Sequence, residues 1–96
     1  MRITSFRHKG LERFWRDDDA SGLPAKYVEK VRAMLTAIAE AQSLAKIEKY
    51  SGWRLHPLKG NRRGTWSLTV TRNYRLTFRL VGLSVVELDL EDYHGR

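Results

Sequence analysis

The side chains able to do chemistry in this chain are nitrogen and oxygen groups, because it contains no cysteine. His56 lies in HPLKG with Lys59 three residues on, Asn73 and Arg75 flank Tyr74, and His94 follows Asp92 and Tyr93 in EDYH. Histidine is the side chain whose unperturbed pKa lies nearest neutrality, and Lys and Arg can hold negative charge as it develops. Acid–base groups beside a cationic surface suit cleavage of an RNA strand. A 2′-hydroxyl must lose a proton to attack the neighbouring phosphate, the 5′-oxygen must gain one as it leaves, and the phosphate needs fixed donors in between. The inventory permits that reaction without singling it out: an isolated His is commonly a structural hydrogen-bonder, and EDYH taken alone reads as a polar tail. There is no nucleotide-binding glycine loop, no serine elbow and no Cys–His pair. His8, His56 and His94 lack the paired spacing of a metal site, so neither metal nor cofactor is expected.

Eighteen Lys and Arg against eleven Asp and Glu leave a formal net charge of +7, with a sequence pI near 10.1. The stretch Trp53–Arg79 carries seven of those cations and no acidic residue. Such a balance favours a polyanionic partner, nucleic acid or anionic membrane, and net charge alone does not choose between them. The 96 residues, 42% hydrophobic and 30% charged, are expected to form one domain, residues 1–96, with a single small core. The opening MRITSFRHKG lacks the apolar run of a secretory signal, and no apolar stretch is long enough to cross a bilayer. The expectation is a soluble cytoplasmic protein that does not act at a membrane.

These groups need a scaffold, and hydrophobic periodicity supplies one. Ile3–Phe6 is a short strand candidate. Leu11, Phe14 and Trp15 mark one face of a helix over residues 9–18, with Glu12 four residues before Arg16. Val28, Val31, Met34, Leu35, Ile38 and Ala41 form the stripe of a second helix over residues 24–42, and residues 43–48 allow one further turn. Residues 54–58 should be extended, since Pro57 pushes His56 out of the helical region. Trp66, Leu68 and Val70, then Tyr74, Leu76, Phe78 and Leu80, then Val86, Leu88 and Leu90 alternate with polar residues as three strands.

Matching faces sets the register: Val70 opposite Tyr74, Leu68 opposite Leu76, Trp66 opposite Phe78, around a loop in which Asn73 takes the left-handed conformation. A two-residue Gly82-Leu83 turn would set Arg79 against Val86 and mix the faces. A longer loop or a bulge near Gly82 is therefore expected, with Arg79 beside Glu87. The order is βααβββ, an α+β fold in which two helices pack on one face of a small antiparallel sheet. The other face presents Thr69, Arg75, Thr77 and Arg79. Strict alternation puts Asp92 and His94 on the apolar side, so the last strand must end or bulge near Leu90, or the site must lie at the sheet edge.

HPLKG at 56–60, GTWSLTVTRNYRLTF at 64–78 and EDYH at 91–94 together resemble the HigB branch of the RelE/ParE toxin superfamily. SFRHKGLERF at the start and SGLPAKYVEKVRAML in the second helix are similar to the same pattern, so the resemblance spans nearly the whole chain. It implies a RelE-like fold and the toxin of a type II toxin–antitoxin system. The activity it implies is a ribosome-dependent endoribonuclease that cuts mRNA in the decoding (30S A) site. It also implies a HigA-type helix-turn-helix antitoxin, and contact with operator DNA only through that complex. Matched residue by residue, the site would comprise His56, Lys59, Asn73, Arg75, Asp92, Tyr93 and His94. His94 would be the leading acid–base group, Lys59 and Arg75 would stabilise the phosphate, and Tyr93 would stack on or orient a base. His56 and Asp92 would position RNA or tune their neighbours, while Asn73 would shape its turn or reach the RNA. Arg54, Arg62, Arg63 and Arg79 of the basic run would hold the strand.

Two other readings share these features. A ParE-like toxin that inhibits gyrase accounts for the fold and charge without needing His56, Lys59 and His94. A plain nucleic-acid-binding module would bind with salt-sensitive affinity and form no product.

Overall fold

The computed structural model describes residues 1–92; the expected site residues Tyr93 and His94 lie outside the described residues. In chain order the elements are β1 (Arg2–Ile3), α1 (Lys9–Asp17), α2 (Val28–Glu40), α3 (Leu44–Ile47), β2 (His56–Pro57), β3 (Thr65–Thr69), β4 (Tyr74–Val81) and β5 (Ser84–Asp92). Single 3₁₀ turns cover Ala25–Tyr27, Ser51–Trp53 and Gly60–Arg62. Among the described residues, five strands form one sheet in the order β1-β5-β4-β3-β2. Three pairings are antiparallel, as expected, but β1 lies parallel to β5, so the sheet is mixed.

Helix α1 begins where His8 Nδ1 accepts the backbone N–H of Leu11 at 3.1 Å, meeting one of the donors a helix start leaves unpaired. It buries Leu11 and Phe14, while Trp15 stays 36% exposed. Glu12 and Arg16 pair at 3.1 Å. Of the three aspartates at its carboxyl end, which the helix dipole disfavours, two are offset by arginines: Arg32 holds Asp18 at 2.8 Å and Arg13 lies 3.7 Å from Asp19. Helix α2 is shorter than its stripe suggests, because the residues after Pro24 wind as a 3₁₀ turn. Val31, Met34, Leu35 and Ile38 of α2 join Leu11, Phe14 and Ile47 in a core with Leu68, Val70, Leu76, Phe78, Val85, Leu88 and Leu90.

The β3–β4 register matches the parity argument, with Leu68 opposite Leu76 and Trp66 opposite Phe78. The turn that closes it differs. Asn73 is not left-handed; Thr71 Oγ1 accepts the N–H groups of both Asn73 and Tyr74 at 3.2 Å. A threonine hydroxyl thus mimics the backbone turn without a positive φ. Arg54, expected in an extended segment, is itself left-handed at φ 53°.

The β4–β5 hairpin corrects the expectation more deeply. Gly82, at φ 60°, makes a tight two-residue turn, Val81 pairs with Ser84, and Arg79 lies opposite Val86 rather than Glu87. The register then shifts between Thr77 and Arg79, where β5 carries one extra residue. Glu87 takes that place at φ 54°, with its N–H held by Ser5 Oγ at 2.9 Å. This is a β-bulge that reverses the parity of the strand beyond it. Val85 therefore fills the core position expected of Val86, and Leu88 and Leu90 keep theirs. Thr77 comes to lie opposite Asp89, Arg75 opposite Glu91 and Tyr74 opposite Asp92. The strand continues through Asp92 with no break at Leu90.

Candidate active site

The face of the sheet turned away from the helices is polar but not simply cationic. Cross-strand pairing aligns His56, Ser67, Thr77 and Asp89 in one row and Thr69, Arg75 and Glu91 in the next. Ser67 and Thr77 are buried although they face away from the core. The connection from β2 to β3 explains this. Its 3₁₀ turn sends Arg62 across β3 and β4 to Glu91 on β5, a span of two strand spacings, or about 10 Å.

Glu91 is the hub. Arg62 donates from Nη1 to Oε1 at 2.9 Å and from Nη2 to Oε2 at 2.5 Å, the two-pronged geometry that suits guanidinium and carboxylate. Arg75 donates to Oε1 from Nε at 3.3 Å and from Nη2 at 3.1 Å, and Thr77 Oγ1 donates to Oε2 at 2.6 Å. The hydrogen bond from Arg62, helped by those from Thr77 and Arg75, holds the Glu91 carboxyl down to about 2 against the opposing effect of burial. The same contact raises the Arg62 pKa further. A carboxylate held so low is a poor proton acceptor near neutrality.

Around this hub opens a cleft of ≈ 820 Å³ lined by Arg7, Arg62, Arg75, Asp89, Leu90, Glu91 and Asp92. Among the described residues its lining holds three arginines and three acidic residues, a near charge balance although the chain carries +7. A smaller cavity of ≈ 150 Å³ adjoins it, lined by Arg7, Asn61, Arg62, Thr65, Thr77, Arg79 and Glu87.

Of the expected site residues, the structure brings Arg62, Arg75 and Asp92 into one cleft and Arg79 into its neighbour. Lys59 precedes the 3₁₀ turn, is exposed and does not line the cleft. His56 is exposed on β2, its Nδ1 2.8 Å from the carbonyl of Arg54. Arg63 offers its carbonyl to Arg79 Nη1 at 3.3 Å. Asn73 sits at the β3–β4 turn beside Lys26, Tyr27 and Arg72, apart from the cleft. Among the described residues no three His, Cys, Asp or Glu side chains group as a metal ion would require. Among the described residues no helix is long and apolar enough to cross a membrane.

Sequence reasoning missed Glu91, Asp89 and Arg7. A signal for the first two existed. The register that matches apolar faces, carried to the end of the strands, sets Thr77 against Asp89 and Arg75 against Glu91. Arg7 has no such signal, since β1 reaches the sheet only through a long-range parallel pairing.

The arrangement can grip a phosphate between guanidinia beside a strand end that carries an acid. Comparison with known proteins places it. A family model described as the RelE-like toxin of type II toxin–antitoxin system HigB matches residues 4–94. Endoribonuclease HigB of Proteus vulgaris is 40% identical over 92 residues, covering 96% of this chain and 99% of that protein. Among solved structures, the YoeB/ParE toxin of Agrobacterium tumefaciens superposes with a TM-score of 0.59 at 22% identity, over 98% of this chain and 100% of that one. A chain of the heterotetrameric YoeB–YefM toxin–antitoxin complex of Staphylococcus aureus gives 0.55 at 19% identity, over 98% and 99%. The fold is thus that of the RelE-like toxins, and the chain belongs to the HigB-like family of type II toxin–antitoxin systems.

Proposed function

We propose that this toxin is an endoribonuclease that cuts mRNA in the decoding site of the ribosome. The observation that carries the reading is the meeting of Arg62, Arg75 and Asp92 in one cleft at the end of β5. Its relative of 40% identity, an endoribonuclease by name, supports it. Tyr93 and His94 follow Asp92 directly in the chain. His94 serves as the leading acid–base group, shuttling protons between the 2′-hydroxyl, the 5′-oxygen and water. Arg75 stabilises the charge gathering on the phosphate from within the cleft, Lys59 adds its charge from outside the cleft lining, and Tyr93 stacks on or orients a base. His56 and Asp92 position the strand or tune their neighbours. Arg62 and Arg79, with Arg54, Arg63 and Asn73 farther out, hold the RNA backbone. No metal takes part.

Dependence on the ribosome has a physical sense. The described lining of the cleft is near charge balance, so the ribosome must hold the strand in attack geometry, which raises the effective concentration of the reacting groups. A HigA-type helix-turn-helix antitoxin neutralises the toxin in the cytoplasm and carries it to operator DNA. The test incubates translating ribosomes, and separately naked mRNA, with the wild type and with His94→Ala. Cleavage on ribosomes alone, reduced at least 100-fold in the variant, is expected. Intact mRNA together with inhibited DNA supercoiling would replace this reading with that of a gyrase inhibitor.

A further inference from the structure

We propose that Glu91 is a positioning residue for RNA cleavage: its carboxylate sets the Arg62 and Arg75 guanidinia side by side over the sheet, so that a phosphodiester entering the cleft meets donors already fixed. The inference rests on the reading of this chain as a ribonuclease. Arg62 and Arg75 reach the cleft from different places, one from a loop between β2 and β3, the other from the middle of the sheet. A loop arginine left to itself samples many rotamers, and ordering it carries an entropic cost. Glu91 removes that freedom before any ligand arrives. Each guanidinium has five N–H donors, and Glu91 engages two of them on each.

Glu91 itself is fixed from below by Thr77 Oγ1, whose side chain is buried. The bulge at Glu87 sets the register in which Glu91 lies opposite Arg75.

The same carboxylate opposes a phosphate electrostatically. Its presence weakens binding while it orders the donors, so it acts on the bound transition state and against the ground state. A residue that only supported the fold would not separate the two effects. A residue that merely shielded the arginines would slow cleavage and binding alike, and its removal would speed both.

Single-turnover cleavage of mRNA on programmed ribosomes distinguishes these cases, with wild type, Glu91→Gln and Glu91→Asp compared as full chains. Binding is read on an RNA carrying 2′-O-methyl groups, which cannot be cut. Glu91→Gln removes the charge and is expected to bind this RNA as tightly as wild type or severalfold more tightly, yet to cleave roughly 10- to 100-fold more slowly at saturation. Glu91→Asp keeps the charge on a shorter arm and is expected to restore part of the rate, and it carries the test if the Gln variant does not fold at the assay temperature. A saturating rate within twofold of wild type, or a faster one, in folded Glu91→Gln overturns the assignment of Glu91, as does a Glu91→Asp rate no higher than that of Glu91→Gln; if only Glu91→Asp folds, an Asp rate equal to that of wild type overturns it. Failure of the wild type to cut RNA at all is a different result: it removes the ribonuclease reading and the positioning role with it.

Discussion

Acid titration of the Glu91 cluster gives the most direct check on the geometry, and it needs no RNA. The perturbation is Glu91→Gln, compared with wild type across pH. In the folded chain the Glu91 carboxyl is held at about 2 instead of its ordinary 4.5, first by Arg62, then by Thr77 and Arg75. A carboxyl whose folded pKa is depressed contributes stability above its unfolded pKa, and that contribution is lost as pH falls through the folded value. Lowering a carboxyl from 4.5 to about 2 corresponds to about 3 kcal/mol. The Glu91 side chain is 20% exposed and that of Arg62 36%, so solvent screening reduces this to about 2–3 kcal/mol.

Urea unfolding followed by circular dichroism at pH 7, 4.5, 3 and 2 measures it. Carboxyls common to both proteins titrate alike and cancel in the difference. Wild type should exceed the Gln variant by about 2–3 kcal/mol at pH 7, and the gap should close between about pH 4.5 and pH 2. Nuclear magnetic resonance titration of the Glu91 side chain should agree, and Arg62→Ala should return its pKa towards 4.5. A gap unchanged from pH 7 to pH 2, or a Glu91 that titrates near 4.5 in wild type, would refute the two-arginine clamp.

Two further predictions concern the backbone that holds the site. At Gly10 an added Cβ would lie 2.6 Å from the carbonyl oxygen of Gly22, a backbone atom that cannot swing aside. Gly10→Ala should therefore destabilise the fold by about 1–3 kcal/mol despite alanine's higher helix propensity, as read from thermal or urea unfolding. Glu87 occupies a left-handed conformation at φ 54° that costs a side chain about 1 kcal/mol. Glu87→Gly should be neutral or stabilising by up to about 1 kcal/mol in the same measurement, against the usual penalty for glycine in a strand.

Some of this was legible because it is local. The stripe on α2 and the alternation in β3 and β4 record which face of each element is buried, and that periodicity survives without knowledge of neighbours. Parity then sufficed for the β3–β4 register. Turn chemistry was less legible, since more than one device closes the same loop. Asn73 was the expected left-handed residue, yet the hydroxyl of Thr71 closes the turn. At Gly82 the conflict between a tight turn and matched faces was visible. Its resolution was not, because the bulge lies five residues on, where Ser5 from the chain's other end caps Glu87.

What the sequence by itself determined is the α+β layering, the core, the cationic ribbon and the motifs that mark a HigB-like toxin, all of which follow from residue type and spacing. Only the tertiary structure decided that the ribbon is not an open cationic surface. The bulge reverses the parity of β5, the loop after β2 folds back across the sheet, and one glutamate binds two of the arginines. Those outcomes depend on contacts between residues far apart in the chain, Ser5 with Glu87 and Arg62 with Glu91, which no local periodicity encodes.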